Sequence, residues 1–218
     1  MPDIMTPSPR PRGRGSNPAA TRQNILDVAI REFAAKGLAG ARIDEIAAQT
    51  ATSKRMIYYY FKSKQGLYLA ALEKSYQDIR RIEEDLHLES LPPDEAMRTL
   101  VGFTFDYQAA NPDFIRLVMN ENMHHGRYLA QSTSIKDLNI PVITSIRGIY
   151  ARGCEQGLFR TGLDPIDLHA SISALCFFNV SNQHTFSLIF KRDSTAPEAY
   201  AQRRANVIEL ILRYMLVA

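Results

Sequence analysis

Apolar residues in this chain recur three and four positions apart over most of its length, and nowhere do they alternate convincingly with polar ones to make a strand face. A chain patterned this way buries its apolar surface by packing helix on helix, so the expected class is all-α. Helix starts are marked as well as helix faces. Asn111-Pro112 and Asp164-Pro165 each place a capping side chain before a proline at the first helical position, and Ser194, Thr195 and Pro197 are expected to do the same for the last helix. About nine helices follow: from near Ala19 to a basic last turn and stop at Lys36-Gly37, then 43–50, 54–60, 63–86 behind the cap Ser63, 94–110 after the Pro92-Pro93 break, 112–123, 128–156, 165–190 and 197–216.

Charge divides the chain. Residues 1–64 hold 11 Lys+Arg against 5 Asp+Glu, net +6, whereas residues 65–218 hold 15 against 18, net −3. Positive charge gathered at one end is the footprint of a polyanion-binding head on a near-neutral body, or of a basic solvated surface. The expected division is a disordered basic leader over 1–18, a DNA-binding head over 19–64 and an effector-binding and dimerisation body over 65–218.

Other classes are disfavoured. Cys154 and Cys176 sit in apolar helical patterns without CxxC spacing, which argues for buried thiols and against a disulfide scaffold or zinc site. The proline- and arginine-rich leader lacks the apolar core of a signal peptide, and no apolar run reaches the roughly 18–20 residues of a membrane span. A soluble, cytoplasmic protein is expected. His124 and His125 are adjacent and point about 100° apart on a helix, and His87, His169 and His184 are scattered, so no metal site is expected. No phosphate loop, nucleophile elbow or paired-carboxylate motif suggests an enzyme, and no cofactor is indicated.

Residues 42–61, RIDEIAAQTATSKRMIYYYF, have the form of a helix-turn-helix. Ile43, Ile46 and Ala47 face inward, the turn runs through Ala51 and Thr52, and Ser53 caps the second helix. In that helix Ile57 and Phe61 lie four apart and pack inward, leaving Lys54, Arg55, Tyr58, Tyr59 and Lys62 outside. Such a helix offers its first residues to base edges while flanking basic and hydroxyl groups hold phosphates.

The segments TRQNILDVAIREFAAKG (21–37), IDEIAAQTATSKRMIYYYF (43–61) and KSKQGLYLAALE (62–73) together resemble the tetracycline-repressor (TetR) family of regulators. The resemblance spans Thr21 to Glu73, and the pairing of ILxxAxxxFAxKG with SKxxxYYYFxSKxxLY makes it specific. It implies that Lys54, Arg55 and Met56 face bases, and that Tyr58, Tyr59, Tyr60 and Lys62 lie at phosphates or groove walls. Arg42, Ile43, Asp44 and the cap Ser53 complete the implied surface, with Ile43 and Asp44 where the first of the two helices nears the backbone. Three positions depart from the family pattern, among them Thr52, which stands where a small apolar residue is usual. The usual turn glycine is Ala51, which takes a left-handed conformation less readily by about 1 kcal/mol, and the usual Ser/Thr cap of the first helix is Arg42, with Asp44 and Glu45 still favouring its positive end. Arg10, Arg12 and Arg14 are either an arm for a flanking minor groove or a solubilising tail.

The resemblance further implies a small-molecule effector bound among the body helices. Phe103, Tyr107, Phe114, Met119, Asn122, His125, Arg147, Tyr150, Asn179 and Asn182 are the candidates. Asn179 and Asn182 continue an apolar stripe, so each needs a partner, either a ligand or a core or interface group. The segments NENMHHGRYL and FFNVSNQHTFSLIF are similar to the sensing half of regulators of aromatic or N-heteroaromatic catabolism, which suggests an aromatic effector.

The last two helices are apolar nearly all round. Leu168, Ile172, Leu175, Phe186 and Ile189 form one stripe of the penultimate helix and Cys176, Phe177, Val180 and Leu188 another. In the last helix Ile208, Leu212 and Met215 form a face with Val207, Leu210, Ile211 and Tyr214 around it. Such helices are covered on both sides, in a two-fold homodimer or wholly within one subunit. Together these features point to a ligand-responsive regulator binding a double-stranded pseudo-palindromic operator as a dimer, most simply a repressor. A structural DNA binder without effector and a ligand-dependent activator are the alternatives.

Overall fold

The computed structural model describes residues 17–217, and the arginines at 10, 12 and 14 lie outside them. Asn17 opens the first helix, its Oδ1 accepting the Ala19 amide at 3.1 Å with Pro18 at the first helical position. Of the residues assigned to the leader, Pro18 therefore opens α1 (Pro18–Gly40) and Asn17 caps it, because an Asn-Pro pair is itself a helix start. Helical geometry breaks at Gly37 (φ 65°, ψ 174°), one residue past the basic last turn. There follow α2 (Ile43–Gln49), α3 (Lys54–Phe61), α4 (Lys64–Glu84), α5 (Pro93–Ala110), α6 (Pro112–Met123), α7 (Ser134–Glu155), α8 (Pro165–Ser181), α9 (Gln183–Phe190) and α10 (Pro197–Met215). The protein is all-α. Among the described residues the only extended pairing is an isolated antiparallel bridge, Phe159–Leu216.

Among the described residues ten α-helices replace the expected nine, because the penultimate one breaks at Asn182. There Asn179, Ser181 and Asn182 compete with the ladder: Asn179 Nδ2 donates to the Leu175 carbonyl at 2.8 Å and Asn182 Nδ2 to Ser181 Oγ at 2.8 Å. The helix expected from residue 128 starts only at Ser134. Buried Glu121 holds the chain before it, its Oε1 accepting the amides of Tyr128 (2.7 Å) and Leu129 (2.8 Å). Two expected caps also differ. Asn111 donates to the Tyr107 carbonyl, closing α5 instead of capping α6, and Thr195 turns back onto Asp193 while Ala196 holds the capping position of α10. Asp164 caps α8 as expected, accepting the Ile166 amide at 3.0 Å.

The apolar residues fall into three clusters. The first joins α1–α4 and continues past residue 64, with Leu67, Tyr68, Ala71 and Leu72 of α4 meeting Leu117 of α6 and Ile135 of α7. A second fills the body between α5, α7, α8 and α10. A third, Ile79, Phe114 and Ile115 with Tyr76, Phe103 and Tyr107 against them, lies where α4, α5 and α6 meet. The end of α10 is pinned by backbone bonds from Arg160 to Met215 (2.8 Å) and from Val217 to Leu158 (3.0 Å). Gly153 makes this possible, since a Cβ there would stand 1.9 Å from the Phe159 ring.

Candidate nucleic-acid interface and ligand cavity

The helix-turn-helix forms because Ile43, Ile46, Ala47, Ile57 and Phe61 are all buried in the first cluster. Burying Ile57 and Phe61 turns the opposite side of α3 outward, and Lys54, Arg55, Met56, Tyr58, Tyr59 and Lys62 are exposed. Ser53 caps α3, its Oγ accepting the Met56 amide at 3.2 Å. Not every residue of the implied surface is available. Ile43 is only 6% exposed and serves the core, because inward-facing apolar groups are what hold α2 against α1. Tyr60 is half-buried against the same cluster, with its ring edge-on to Tyr59 at 5.3 Å.

Asp44 faces Lys54 across the turn, Oδ1 to Nζ at 2.6 Å, and that hydrogen bond holds its carboxyl below the usual range. Arg42 makes no side-chain cap, as the departure at this position implies. Its own amide is instead accepted by buried Glu32 of α1 at 3.3 Å, and Glu32 is paired with Lys36 at 3.0 Å. Lys36 also bonds Glu45, which lowers the Glu45 carboxyl. Glu32 and Glu45 are therefore neutralised by Lys36 within the head and Asp44 by Lys54, which leaves Arg55 and Lys62 as the unpaired cations on the outer side of α3 among the described residues. Neither Glu32 nor Lys36 signals this role in the sequence, because a contact between α1 and α2 has no local spacing.

The turn residue Ala51 adopts φ 50°, the left-handed conformation its family counterparts give to glycine. Ala51→Gly is expected to stabilise the fold by about 1 kcal/mol and raise Tm by about 2–4 °C. Thermal melts of the two proteins check this, and an unchanged or lower Tm refutes the strain at Ala51.

α4 joins head and body, and α6 packs against the head beside it. α4 runs from the head to the third cluster, and its Glu73 Oε1 accepts from Ser132 (2.6 Å) and Ser134 (2.9 Å). α6 touches the head from below, with Asn120 Nδ2 donating to the Phe33 carbonyl at 3.4 Å beside Gly37.

The ten effector candidates do not gather at one place. Phe103, Tyr107 and Phe114 come together in the third cluster, the Phe103–Tyr107 and Tyr107–Phe114 centroids 5.7 and 6.4 Å apart. Met119, Asn122, His125, Arg147 and Asn182 are exposed, and His125 lies in the left-handed turn after α6. Tyr150 is structural, its hydroxyl donating to the Arg160 carbonyl and accepting the Leu163 amide. Asn179 alone lines a cavity of about 430 Å³ between α5, α8, α9 and α10, together with Phe105, Phe178, Phe186, Tyr200 and Arg203. Arg203 Nε donates to Asn179 Oδ1 at 3.1 Å. Residues on both sides of the break at Asn182 line this space, Phe178 and Asn179 from α8 and Gln183 and Phe186 from α9, a feature that periodicity carried through the break conceals. Elsewhere in the body, burial pushes the Cys176 thiol up to about 12, making it an inert core group.

A helix-turn-helix head with a basic outer helix, joined through one long helix to a larger helical body, defines a DNA-binding regulator of transcription. The family model "Bacterial regulatory proteins, tetR family" matches residues 25–71, and "Tetracyclin repressor-like, C-terminal domain" matches 93–211. The chain is 34% identical to the HTH-type transcriptional repressor NicS of Pseudomonas putida, over 88% of this chain and 91% of that one. In structure it is similar to SCO4942 from Streptomyces coelicolor (TM-score 0.68, 27% identity, 89% and 98% of the two chains). A tetR-family regulatory protein from Rhodococcus RHA1 has the same fold (TM-score 0.71, 19% identity, 91% and 98%). The chain belongs to the TetR family, whose members are regulators of transcription and not enzymes. Among the described residues no helix is long and apolar enough to cross a membrane.

Proposed function

We propose that the protein is a repressor that binds a pseudo-palindromic operator as a homodimer in the cytoplasm and is released by a small molecule. The observation that carries this is an open apolar face on the body. Ile166, Phe178, Leu210, Tyr214 and Val217 are 59%, 43%, 51%, 51% and 56% exposed on the neighbouring helices α8 and α10 and the segment after α10. Their opposite sides bury Leu168, Ile172 and Cys176, and Val207, Ile208, Ile211, Leu212 and Met215, in the protomer's own core. The expected two-sided covering is thus half supplied by the protomer, and a second copy supplies the rest as a four-helix packing about a two-fold axis.

Each head then offers one α3 to one major groove. Arg55, Met56 and Lys54 are placed for base edges, while Tyr58, Tyr59, Lys62 and Arg42 are placed for phosphates. The buried Ile43 and half-buried Tyr60 act by positioning α2 and α3. Effector binding in the body shifts α4 and α6, both of which pack on α1, and so alters the spacing of the heads. A tenfold loss of operator affinity requires about 1.4 kcal/mol of coupling between the two sites.

Selection from random duplex DNA with the purified full chain tests the reading. The expected result is an inverted repeat whose half-sites are separated by a multiple of the helical repeat, retained by a protein of dimer mass. Recovery of DNA without sequence preference refutes it and favours a structural DNA binder.

A further inference from the structure

We propose that the cavity between α5, α8, α9 and α10 is the effector seat and takes a small aromatic carboxylate, its carboxylate on Arg203 and its ring among Phe178, Phe186 and Tyr200. The assignment of this ligand as the effector rests on the repressor reading above. The binding site itself rests on the cavity.

Charge is the first argument. The cavity lining includes Arg192 and Arg203 and no carboxylate. The other body arginines near the core are already engaged through their terminal nitrogens or an ion pair: Arg80 pairs with Glu83, Arg204 with Asp106 at 2.8 Å, and Arg152 donates to the carbonyls of Leu88, Glu89 and Leu91, while the buried Nε atoms of Arg80 and Arg152 have no partner among the described residues. Among the described residues no carboxylate lies within ion-pair distance of Arg192 or Arg203. The nearby acid, Asp106, is held by Arg204 and by the Tyr200 hydroxyl at 2.7 Å. Asp193 is turned onto Thr195. Two cations beside an apolar recess with no counter-charge in its wall make a site for an anion.

Preorganisation is the second. Asn179 is anchored by its Nδ2 on the Leu175 carbonyl, and its Oδ1 fixes the Nε edge of Arg203. Among the described residues the two terminal nitrogens of Arg203 have no partner, and they are the pair that grips a carboxylate in a fork. This gives Asn179 the ligand-linked role its place on an apolar helix suggests.

Shape is the third. A volume of about 430 Å³ lies in the range of small-molecule sites and suits one or two rings. Phe178 and Phe186 stand edge to face at 5.7 Å, and Phe105 and Tyr200 pair at 5.1 Å, leaving aromatic walls on two sides. Tyr200 turns its hydroxyl away toward Asp106 and its ring toward the cavity. The lining residues Phe178 and Asn206 are exposed beside the apolar α8–α10 face, so a second copy seated there covers the mouth.

Titration calorimetry on the full chain without DNA, with benzoate, 2-naphthoate and the neutral isostere 2-naphthamide, tests the assignment. At least one carboxylate is expected to bind, with the amide at least tenfold weaker than 2-naphthoate. Arg203→Gln is expected to weaken the bound carboxylate by roughly 10- to 100-fold, leave the amide unchanged and leave Tm and oligomeric mass unchanged. Arg203→Lys, which keeps the charge but loses the fork, is expected to fall between. Failure of both carboxylates to bind, equal binding of acid and amide, or indifference to Arg203→Gln overturns the proposal. Operator titrations separate the two readings. Carboxylate binding that depends on Arg203 but leaves operator affinity unchanged keeps the site and refutes its regulatory use. Operator release by a compound indifferent to Arg203 keeps the repressor and refutes this seat.

Discussion

Lys54→Gln combined with Arg55→Gln is expected to weaken operator binding by about 100-fold or more while leaving the fold intact. Both residues stand in the first turn of α3, where a recognition helix meets base edges, and a good base contact is worth about 1–3 kcal/mol. Two such losses per head, in two heads, leave mainly the phosphate contacts. The same exposure that makes these side chains available makes their removal harmless to folding. Arg55 has no ion pair among the described residues, and Lys54 has only its exposed contact with Asp44, the kind of pair that contributes at most about 1 kcal/mol. Fluorescence anisotropy with the selected operator, at one stated salt concentration, measures the loss, and a thermal melt checks the fold. The variant is further expected to discriminate poorly between operator and scrambled duplex. Retention of wild-type affinity and specificity removes α3 as the reading element.

Leu210→Asp is expected to convert the proposed homodimer to monomer and to abolish operator binding at concentrations where the native protein saturates. Leu210 is 51% exposed in the protomer, so the aspartate is well solvated in the monomer and folding is expected to change by no more than about 0.5 kcal/mol. On a two-fold interface the substitution enters twice. On assembly each new carboxylate leaves solvent against the partner's apolar face, at a cost of several kcal/mol per copy. A single head then loses the gain from tethering two recognition helices, about 10²–10⁴ in affinity. Light scattering after size exclusion reads the mass, and the operator titration reads the consequence. A dimer that survives Leu210→Asp places the two-fold axis elsewhere.

These two expectations draw on different kinds of legibility. The α3 surface could be read from the sequence because it is local. Ile57 and Phe61 fix which side is inward, and everything outward follows from 100° per residue. The exceptions, Ile43 and Tyr60, arise where a residue near the DNA side is also needed by the core. The effector site was far less legible. Of the ten candidates, only Asn179 lines the cavity, since polar residues in apolar helices also serve at helix breaks, in turns and as structural anchors, as Asn182, His125 and Tyr150 do. Arg203 and Phe178 escaped notice because an arginine on an amphipathic helix and a phenylalanine in an apolar one are unremarkable until their neighbours are known.

From the sequence alone come the all-helical class, most helix starts, the helix-turn-helix and its outward residues, and a family membership that the comparisons bear out. All of these depend on contacts within one or two turns, where spacing stands in for geometry. Tertiary structure decided the rest: the break at Asn182, the acids neutralised by Lys36 and Lys54, the sharing of the head's core with Leu117 and Ile135, and the cavity around Arg203. Each depends on groups brought together from distant points of the chain. Their pairing is set by which faces remain after the helices pack, and no local period records it.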